Sequence, residues 1–357
     1  MRNIILMALE FHPGLQGGIQ TFCRNLKKMY PKELKIISKK RKEKKSYEVD
    51  GVIEVGSPNI IFRILNKLSR QKLLNFLIKR SVNKNLEDII VFNHPEDLER
   101  VKDIDSKRIL VQHTGYDMYM KWFCKDEETK RLIEEKIDIL ITLSPYDKKK
   151  FEENFKFSPS KVKVIRHTCD VETLQLKKEK KKKLIMIARI ENMVKRFDLA
   201  IKAMKKLPDF ILEIYGNEYK KEDMDFLKNI IKENNISNVF FMGETIKVQE
   251  VLDSSGIFIM TSDFEGYPIT LIEAMRRGLP IILRNTFEAA EDIVIDNGVL
   301  LEKEWNEDKF VEAVKKVYEN YEYYSENSKK LGERHSPEII KKEWDKLFEE
   351  IEIGERK

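Results

Sequence analysis

"GIFIMTSDFEGYPITLIEAMRRGLPIILRN", residues 256–285, holds two short apolar runs with a helical pattern between them. "GIFIMTS" and "PIILRN" are rich in β-branched residues and are typical of strands buried on both faces. Between them, Pro268 fits the first position of a helix that runs to Arg277 and stops at Gly278, with Pro280 beyond it. The stretch therefore predicts strand, helix and parallel strand, the repeating unit of an α/β protein.

The same alternation occupies nearly the whole chain. In the first half the predicted strands are "NIILMAL", "LKIIS", "GVIEV", "DIIVFNH", "RILVQHT", "DILITLS" and "VKVIRH". In the second half they are "LIMIARI", "FILEIYG", "VFFMGE", "IFIMTS" and "PIILRN". A charged stretch at 173–183 separates the two sets and suits an interdomain linker. We predict two Rossmann-like domains, 1–172 and 184–335, with parallel sheets facing a central cleft, where such sheets bind ligands.

The chain is helical from about Glu307, and a last helix is predicted over 336–357. Ser336 and Pro337 form a good helix start. The apolar stripe of this helix consists of Ile340, Trp344, Leu347, Phe348 and Ile351. Such a stripe must be buried, and we expect the helix to pack back on the first domain.

Composition excludes several classes of protein. No stretch reaches the roughly 18 apolar residues of a membrane span, and the N-terminus lacks a signal-peptide cleavage pattern. Cys23, Cys124 and Cys169 are far apart, which argues against a disulfide framework, and the histidines form no metal-binding motif. We therefore predict a cytoplasmic protein with no metal site and no nucleic-acid partner.

The net charge of +6 is unevenly distributed. No acidic residue occurs from Ser57 to Leu86, and "KKRKEKK" occupies 39–45. The basic residues of the first segment are Arg63, Lys67, Arg70, Lys72, Lys79, Arg80 and Lys84. Two interpretations stay open: a solvated helix face, or a basic amphipathic segment that holds the protein at an anionic membrane surface or binds phosphates.

Two glutamates of the opening stretch are candidate site residues. Glu265 lies in the loop after a strand, and Glu273 lies about five residues into the helix, roughly 7 Å from its start. The first-turn N–H groups of 269–271 form an anion site, and Gly266 lets a ligand approach the backbone. This arrangement suits a ligand with hydroxyls at both ends and phosphate between them, such as a nucleotide sugar. The alternative is that Glu273 only pairs with Arg277 on a solvated face.

A second cluster supports phosphate binding. "IARIENMVKRFDLAIKAM" begins on the first strand of the second domain and continues into a helix. Arg189 and Lys195 therefore lie on a loop at the carboxyl end of a strand. Two cations in that position can neutralise a diphosphate, with arginine as a bidentate fork and lysine as a point charge.

At these motifs the second domain resembles the retaining GT-B glycosyltransferases of family 4. "ARIENMVKRFDLAIKA" is similar to the family's phosphate loop, "LEIYGNE" to its next strand and glycine, and "EGYPITLIEAMRRGLPII" to its Glu-x7-Glu signature. The resemblance implies that Arg189 and Lys195 hold the donor diphosphate, Glu273 the ribose hydroxyls and Glu265 the donor sugar. The donor site is then predicted to contain Arg189, Lys195, Gly216, Glu265, Gly266, Tyr267, Pro268, Ile269, Thr270 and Glu273, with Gly17 and Gly18 approaching from the first domain.

The first domain offers two further features. Gly17 and Gly18 in "FHPGLQGGIQTFCRNL" permit a tight turn before a helix, and they resemble the family's N-terminal glycine loop. His113 ends a strand where the family often has a histidine near the transferred sugar. His94 also ends a strand, and the sequence does not choose between the two. Ala188 departs from the family pattern, in which glycine usually precedes the arginine.

The resemblance implies a metal-independent transfer with retention at the anomeric carbon and no bound cofactor. The expected donor is a UDP-sugar, and the expected acceptor is a glycan or lipid-linked glycan in bacterial cell-surface polysaccharide or glycoconjugate synthesis. The catalytic candidates are Glu265, His113, Arg189 and Lys195. We expect a cytoplasmic enzyme, peripheral on the inner face of the membrane if the basic segments bind lipid. The alternatives are a non-catalytic GT-B subunit and an epimerase or phosphorylase on the same fold.

Overall fold

A computed structural model describes residues 3–82 and 89–353. The chain forms two compact units. The first contains the chain up to His167 together with the chain from Ile340 onward, and the second is Thr168–Ile339.

The first unit is built on a parallel sheet. Its strands are β1 (Ile4–Met7), β2 (Leu34–Lys39), β3 (Val52–Val55), β4 (Ile89–Phe92), β5 (Lys107–Val111), β6 (Ile139–Thr142) and β7 (Val162–Val164). They lie in the order β3-β2-β1-β4-β5-β6-β7, and every neighbouring pair is parallel. The strand predictions for this half of the chain are confirmed.

Helices connect these strands. They are α1 (Gly18–Met29), α2 (Ile60–Leu68), α3 (Lys72–Ser81), α4 (Glu96–Arg100), α5 (Tyr116–Trp122), α6 (Glu127–Lys136) and α7 (Pro145–Asn154). Helices on the faces of a parallel sheet bury both faces of its strands. The strands β1 and β4 are accordingly buried along their whole length.

The second unit repeats the plan. Its strands are β8 (Lys183–Ile187), β9 (Ile211–Tyr215), β10 (Val239–Gly243), β11 (Ile257–Met260), β12 (Ile281–Arg284) and β13 (Gly298–Leu301). They are all parallel, in the order β10-β9-β8-β11-β12-β13. The sequence analysis missed β13, a four-residue edge strand of sequence GVLL that is mostly half-buried.

The remaining helices are α8 (Asn192–Lys195), α9 (Phe197–Ala203), α10 (Lys221–Glu233), α11 (Val248–Ser254), α12 (Ile269–Arg276), α13 (Ala290–Ile293), α14 (Glu307–Glu319), α15 (Tyr321–Glu333) and α16 (Pro337–Ile353). Helix α12 begins one residue later than predicted, because Pro268 is extended, with ψ 119°, and precedes the first turn. Gly278, with φ +70°, follows its end as predicted.

Most of α16 belongs to the first unit. Its side chains Ile340, Trp344, Leu347 and Phe348 are buried in one core with residues of α1, β1 and β2. The Tyr30 hydroxyl group donates to a carboxylate oxygen of Asp345 at 2.7 Å. The apolar stripe of α16 therefore completes the cover over one face of the first sheet.

Residues 173–183, expected as a linker, lie in the second unit. They contain almost no regular secondary structure, but they are held in place. Lys178 donates to the carbonyl oxygens of Leu252 and Asp253 at 2.8 and 2.9 Å. Burial at this position lowers the pKa of Lys178 to about 8.

Candidate functional site

Both sheets have the strand order of a doubly wound fold. In this fold the chain moves from the first strand toward one edge of the sheet and from the fourth strand toward the opposite edge. In the second unit this switch point lies between the adjacent strands β8 and β11. Ligands of such sheets bind at the carboxyl ends of the strands there. Arg189 and Lys195 follow β8, and Glu265 follows β11. Glu265 was predicted from one motif and the pair Arg189 and Lys195 from another, and the topology brings both motifs to the carboxyl end of the same two strands.

Lys195 and Glu265 are in direct contact. The Lys195 ammonium group lies 2.7 Å from Oε1 of Glu265, and the Ser262 hydroxyl group donates to the same oxygen at 2.7 Å. The side chains of Lys195 and Glu265 are only 17% and 13% exposed. A partly buried ion pair with an extra hydrogen bond is well ordered, so both charges are held at fixed positions.

The segment after β8 that contains Lys195 and the loop after β11 that contains Glu265 are also joined by hydrogen bonds to backbone carbonyl oxygens. The N–H group of Asp263 donates to the carbonyl oxygen of Val194 at 2.8 Å. The Thr261 hydroxyl group lies 3.1 and 2.9 Å from the carbonyl oxygens of Lys195 and Arg196. Lys195 is the last residue of the short helix α8, so the prediction that it lies on a loop is wrong. These contacts fix the end of α8 against the loop after β11, and they explain why Lys195 meets Glu265.

Sequence analysis missed the charged support beneath these loops. Asp263 accepts hydrogen bonds from Arg196 at 3.3 Å and from Arg284 at the end of β12. Arg196 also binds Asp198 at 3.0 Å, and its backbone is left-handed, with φ +51°. A left-handed arginine costs about 1–2 kcal/mol and persists only where its surroundings hold it. The acidic residue before Glu265 was visible in the sequence, but its distant arginine partners were not.

Arg189 is the more accessible cation. Its side chain is 50% exposed, donates to Glu191 and lies over the Tyr219 ring, with 4.3 Å from its guanidinium carbon to the ring centroid. A guanidinium stacked on an aromatic ring directs its N–H groups sideways, where they can bind phosphate oxygens. In Arg189 one of these N–H groups is already bound to Glu191.

Gly216 directly follows β9, beside the segment that contains Arg189. Its φ is +157°, and a Cβ atom there would overlap the carbonyl oxygen of Ala188. Glycine is required because the backbones of the two strand ends approach closely. The structure thus gives Gly216 a packing role next to Arg189.

Helix α12 presents its N-terminus at the same edge. Leu271 donates its N–H group to the carbonyl oxygen of Pro268 at 3.1 Å, so the prediction of free N–H groups over 269–271 is wrong for Leu271. Ile269 is buried and Thr270 is half-buried. The N-terminal turn can still offer two N–H groups to an anion.

Other residues of the opening stretch have structural contacts. Tyr267 is buried, and its hydroxyl group lies 3.0 Å from Asp292 and 3.2 Å from Nε2 of His335. A ligand can therefore contact only the backbone of Tyr267. Arg277 forms a bidentate pair with Asp253 at 2.7 and 2.9 Å. Arg277 is also buried, so it does not lie on the solvated face that the alternative pairing of Glu273 with Arg277 expected. Glu273 is half-buried.

The first unit has its own glycine turn at a strand end. Gly17, with φ +142°, precedes the first residue of α1, and Gly18 opens the helix. A Cβ atom at Gly18 would meet open space, so no packing contact requires glycine there. The backbone is therefore open to approach at Gly18, whereas a Cβ atom at Gly17 would overlap the Gln20 side chain.

His113 lies in a buried polar cluster. Its Nε2 atom lies 2.8 Å from Oδ1 of Asn93, and its ring stacks on His167 with 5.3 Å between centroids. Burial holds the pKa of His113 well below its usual range and lowers that of His167 to about 3. Both rings are therefore neutral at pH 7. His94 instead packs edge-on against Phe123 at 4.7 Å.

Within the described ranges, no three His, Cys, Asp or Glu side chains are grouped so that they could hold a metal ion. In the same ranges, no helix is both long enough and apolar enough to cross a membrane.

Residues 173–334 match the family model of glycosyl transferases group 1. A Haemophilus influenzae protein described as an uncharacterized glycosyltransferase is 30% identical over 217 residues, which cover 58% of this chain and 60% of the relative. The Escherichia coli O-antigen biosynthesis glycosyltransferase WbnH is 26% identical over 230 residues, 63% of this chain and 64% of the relative. The chain thus spans less than two thirds of either relative.

Among solved structures, Anabaena Alr3699/HepE in complex with UDP-glucose matches with a TM-score of 0.78 at 14% identity, over 98% of this chain and all of that one. The fold is GT-B. The predicted fold class is confirmed by this likeness and by the two parallel sheets. In this GT-B chain, the part that matches the family model contains Arg189, Lys195, Glu265 and Glu273.

Proposed function

We propose that the chain is a retaining, metal-independent glycosyltransferase. It moves a sugar from a nucleotide diphosphate sugar, expected to be a UDP-sugar, to a hydroxyl group of a glycan or lipid-linked glycan acceptor. The observation that carries the proposal is the fixed pair of Lys195 and Glu265 at the switch point of the second sheet, inside the region that matches the family model.

In the proposed donor complex, the diphosphate lies between the N-terminus of α12 and the cations after β8. Lys195 and Arg189 neutralise its charge, and the N–H groups of Ile269 and Thr270 donate to phosphate oxygens. Glu265 accepts from hydroxyl groups of the donor sugar, and Glu273 from the ribose. Lys195 has Glu265 as its partner without ligand, so its ammonium group is already in place when the phosphate arrives.

The main contribution to rate is charge stabilisation. Breaking the bond between the sugar and the nucleoside diphosphate builds negative charge on the leaving phosphate. Preorganised cations and N–H groups stabilise this charge without reorganisation at the moment of reaction. In this proposal the leaving phosphate itself takes the proton of the acceptor hydroxyl group, and no protein nucleophile is needed.

We assign acceptor binding to the first unit, with Gly17, Gly18 and the neutral His113 near the transferred sugar. His113 suits a hydrogen-bonding role rather than a cationic one, because its pKa is held well below its usual range. The similarity to an O-antigen biosynthesis glycosyltransferase supports an acceptor in bacterial cell-surface polysaccharide or glycoconjugate synthesis.

The proposal is tested with a thermal-shift panel of UDP, GDP and ADP and their sugars, followed by product analysis with the stabilising donor. We expect one uridine ligand to raise the melting temperature, and Glu265→Ala and Lys195→Ala to cut transfer at least about 100-fold while the protein stays folded. No shift with any nucleotide would favour a non-catalytic glycan-binding subunit. Near-normal turnover in both variants would exclude the assigned site.

A further inference from the structure

Helix α2 exposes an apolar face. Its side chains Ile60, Ile61, Ile64, Leu65 and Leu68 are between 51% and 76% exposed, and the helix has no buried residue. We call these five residues the α2 apolar face. A surface helix of a globular protein normally turns such a stripe toward the core. A contiguous patch of this kind in solvent indicates a surface that binds something apolar.

The charges beside this face have one sign. Arg63 and Lys67 lie on α2 and Arg70 follows it, and within the described residues none of the three side chains takes part in an ion pair. By contrast, Lys79 on α3 pairs with Asp103. Lys84, the last basic residue of the segment, lies outside the described residues. An apolar face with unneutralised cations along its edge is complementary to an anionic, amphiphilic surface.

A large basic cavity adjoins the helix. It has a volume of about 1180 Å³ and is lined by Phe62, Arg63, Lys67 and Arg70 of this region, and by the loop of 39–43 after β2. Residues 39–42 contribute four further basic residues to the cavity, of which Lys39 and Arg41 pair with Glu10. Its lining also contains Glu43, Glu96 and Glu99, so the positive charge is concentrated on the side of α2 and of residues 40 and 42. The cations of α2 therefore point into a space large enough for phosphate headgroups.

We infer that α2 docks on a membrane surface rich in anionic phospholipid. The α2 apolar face enters the boundary between headgroups and acyl chains, and Arg63, Lys67 and Arg70 bind headgroup phosphates. With 9 residues, α2 is too short to span a bilayer and lies in its plane. A second copy of the chain is a poorer occupant, because the like charges of two such surfaces repel. The inference does not depend on the donor site.

The test is sedimentation of the full chain with vesicles of phosphatidylcholine alone, or with about one third phosphatidylglycerol. We expect binding only to the anionic vesicles, weakened by salt as surface charges are screened. Arg63→Gln/Lys67→Gln/Arg70→Gln should bind roughly 100-fold more weakly, since each of the three cations near an anionic surface contributes about a factor of five. Ile61→Gln/Ile64→Gln/Leu68→Gln should lose binding to a similar extent while keeping all its charges.

A matched control removes the same charge elsewhere. Lys221, Lys228 and Lys315 are exposed on helices of the second unit, and their triple replacement by Gln should leave vesicle binding within about twofold of the wild type. Equal loss in this control, or no binding to anionic vesicles at low salt, would overturn the inference. So would a dimer in solution that the apolar-face variant dissociates, because the occupant would then be a second copy. Binding of soluble polyphosphate without binding to vesicles would likewise overturn it.

Discussion

Replacing Lys195 with methionine tests the donor site through two separable effects. Methionine keeps most of the apolar stem of lysine but removes the ammonium group that lies 2.7 Å from Glu265. Glu265, only 13% exposed, would then keep the Ser262 hydroxyl group as its remaining described partner. The variant therefore loses a phosphate-binding charge and leaves a carboxylate poorly compensated.

The two effects have different sizes. Leaving a buried polar group without its partner costs about 1–3 kcal/mol, and the residual exposure of Glu265 places the loss in free energy of unfolding near the lower end, at about 1 kcal/mol. Losing one preorganised donor to the leaving group costs about 3–4 kcal/mol in the barrier, or roughly 100-fold to 1,000-fold in rate.

A double variant separates these effects. Lys195→Met/Glu265→Gln removes both charges, so we expect it to recover most of the lost stability, with a coupling energy of about 1 kcal/mol in the double-mutant cycle. Transfer should stay lost, because the phosphate still lacks its cation. Lys202→Met is the control, since Lys202 is exposed on the neighbouring helix α9.

The assays are urea denaturation for the free energy of unfolding and sugar transfer, or hydrolysis of the donor without acceptor, for the rate. UDP binding is followed by thermal shift. Lys195→Met with wild-type turnover and UDP binding would refute the phosphate role. Stability equal to that of Lys202→Met would refute the inference that the ion pair stabilises the site.

Three further variants test the surrounding structure. Gly216→Ala should lower the free energy of unfolding by about 1–3 kcal/mol in urea and weaken the UDP thermal shift, because its methyl group meets the Ala188 carbonyl oxygen. His113 and His167 have pKa values below the unfolded value of about 6.5, so below that pH the unfolded chain binds more protons than the folded chain. The free energy of unfolding should therefore fall as the pH drops below about 6.5, by up to about 1.4 kcal/mol per pH unit for each ring. His167→Gln should flatten this fall between about pH 6.5 and 5, and an unchanged slope in urea titrations would contradict it. Trp344→Ala should cost about 3–5 kcal/mol in urea, because the ring is buried in the first core; a loss below about 1 kcal/mol would contradict that packing.

Local signals accounted for much of the fold and part of the site. The β-branched runs predicted the central strands, and Pro268 and Gly278 predicted the ends of α12 to within one residue. Arg189, Lys195 and Glu265 could be placed near the carboxyl ends of strands, because each follows a predicted strand in the sequence. The alternation of strands and helices indicated that these ends lie at the same edge of a parallel sheet. The edge strand β13 was missed because its apolar run is only three residues long, at 299–301, and contains one β-branched residue.

What the sequence determined by itself was the series of strands and helices and the chemistry available at their ends, because backbone preference and apolar periodicity act over a few residues. The tertiary structure alone decided that Lys195 meets Glu265 across 70 positions, that Arg196 and Arg284 support Asp263, and that α16 covers the first sheet. It also decided that the apolar face of α2 stays in solvent. These outcomes depend on which distant surfaces pack together, and no short-range pattern encodes that choice.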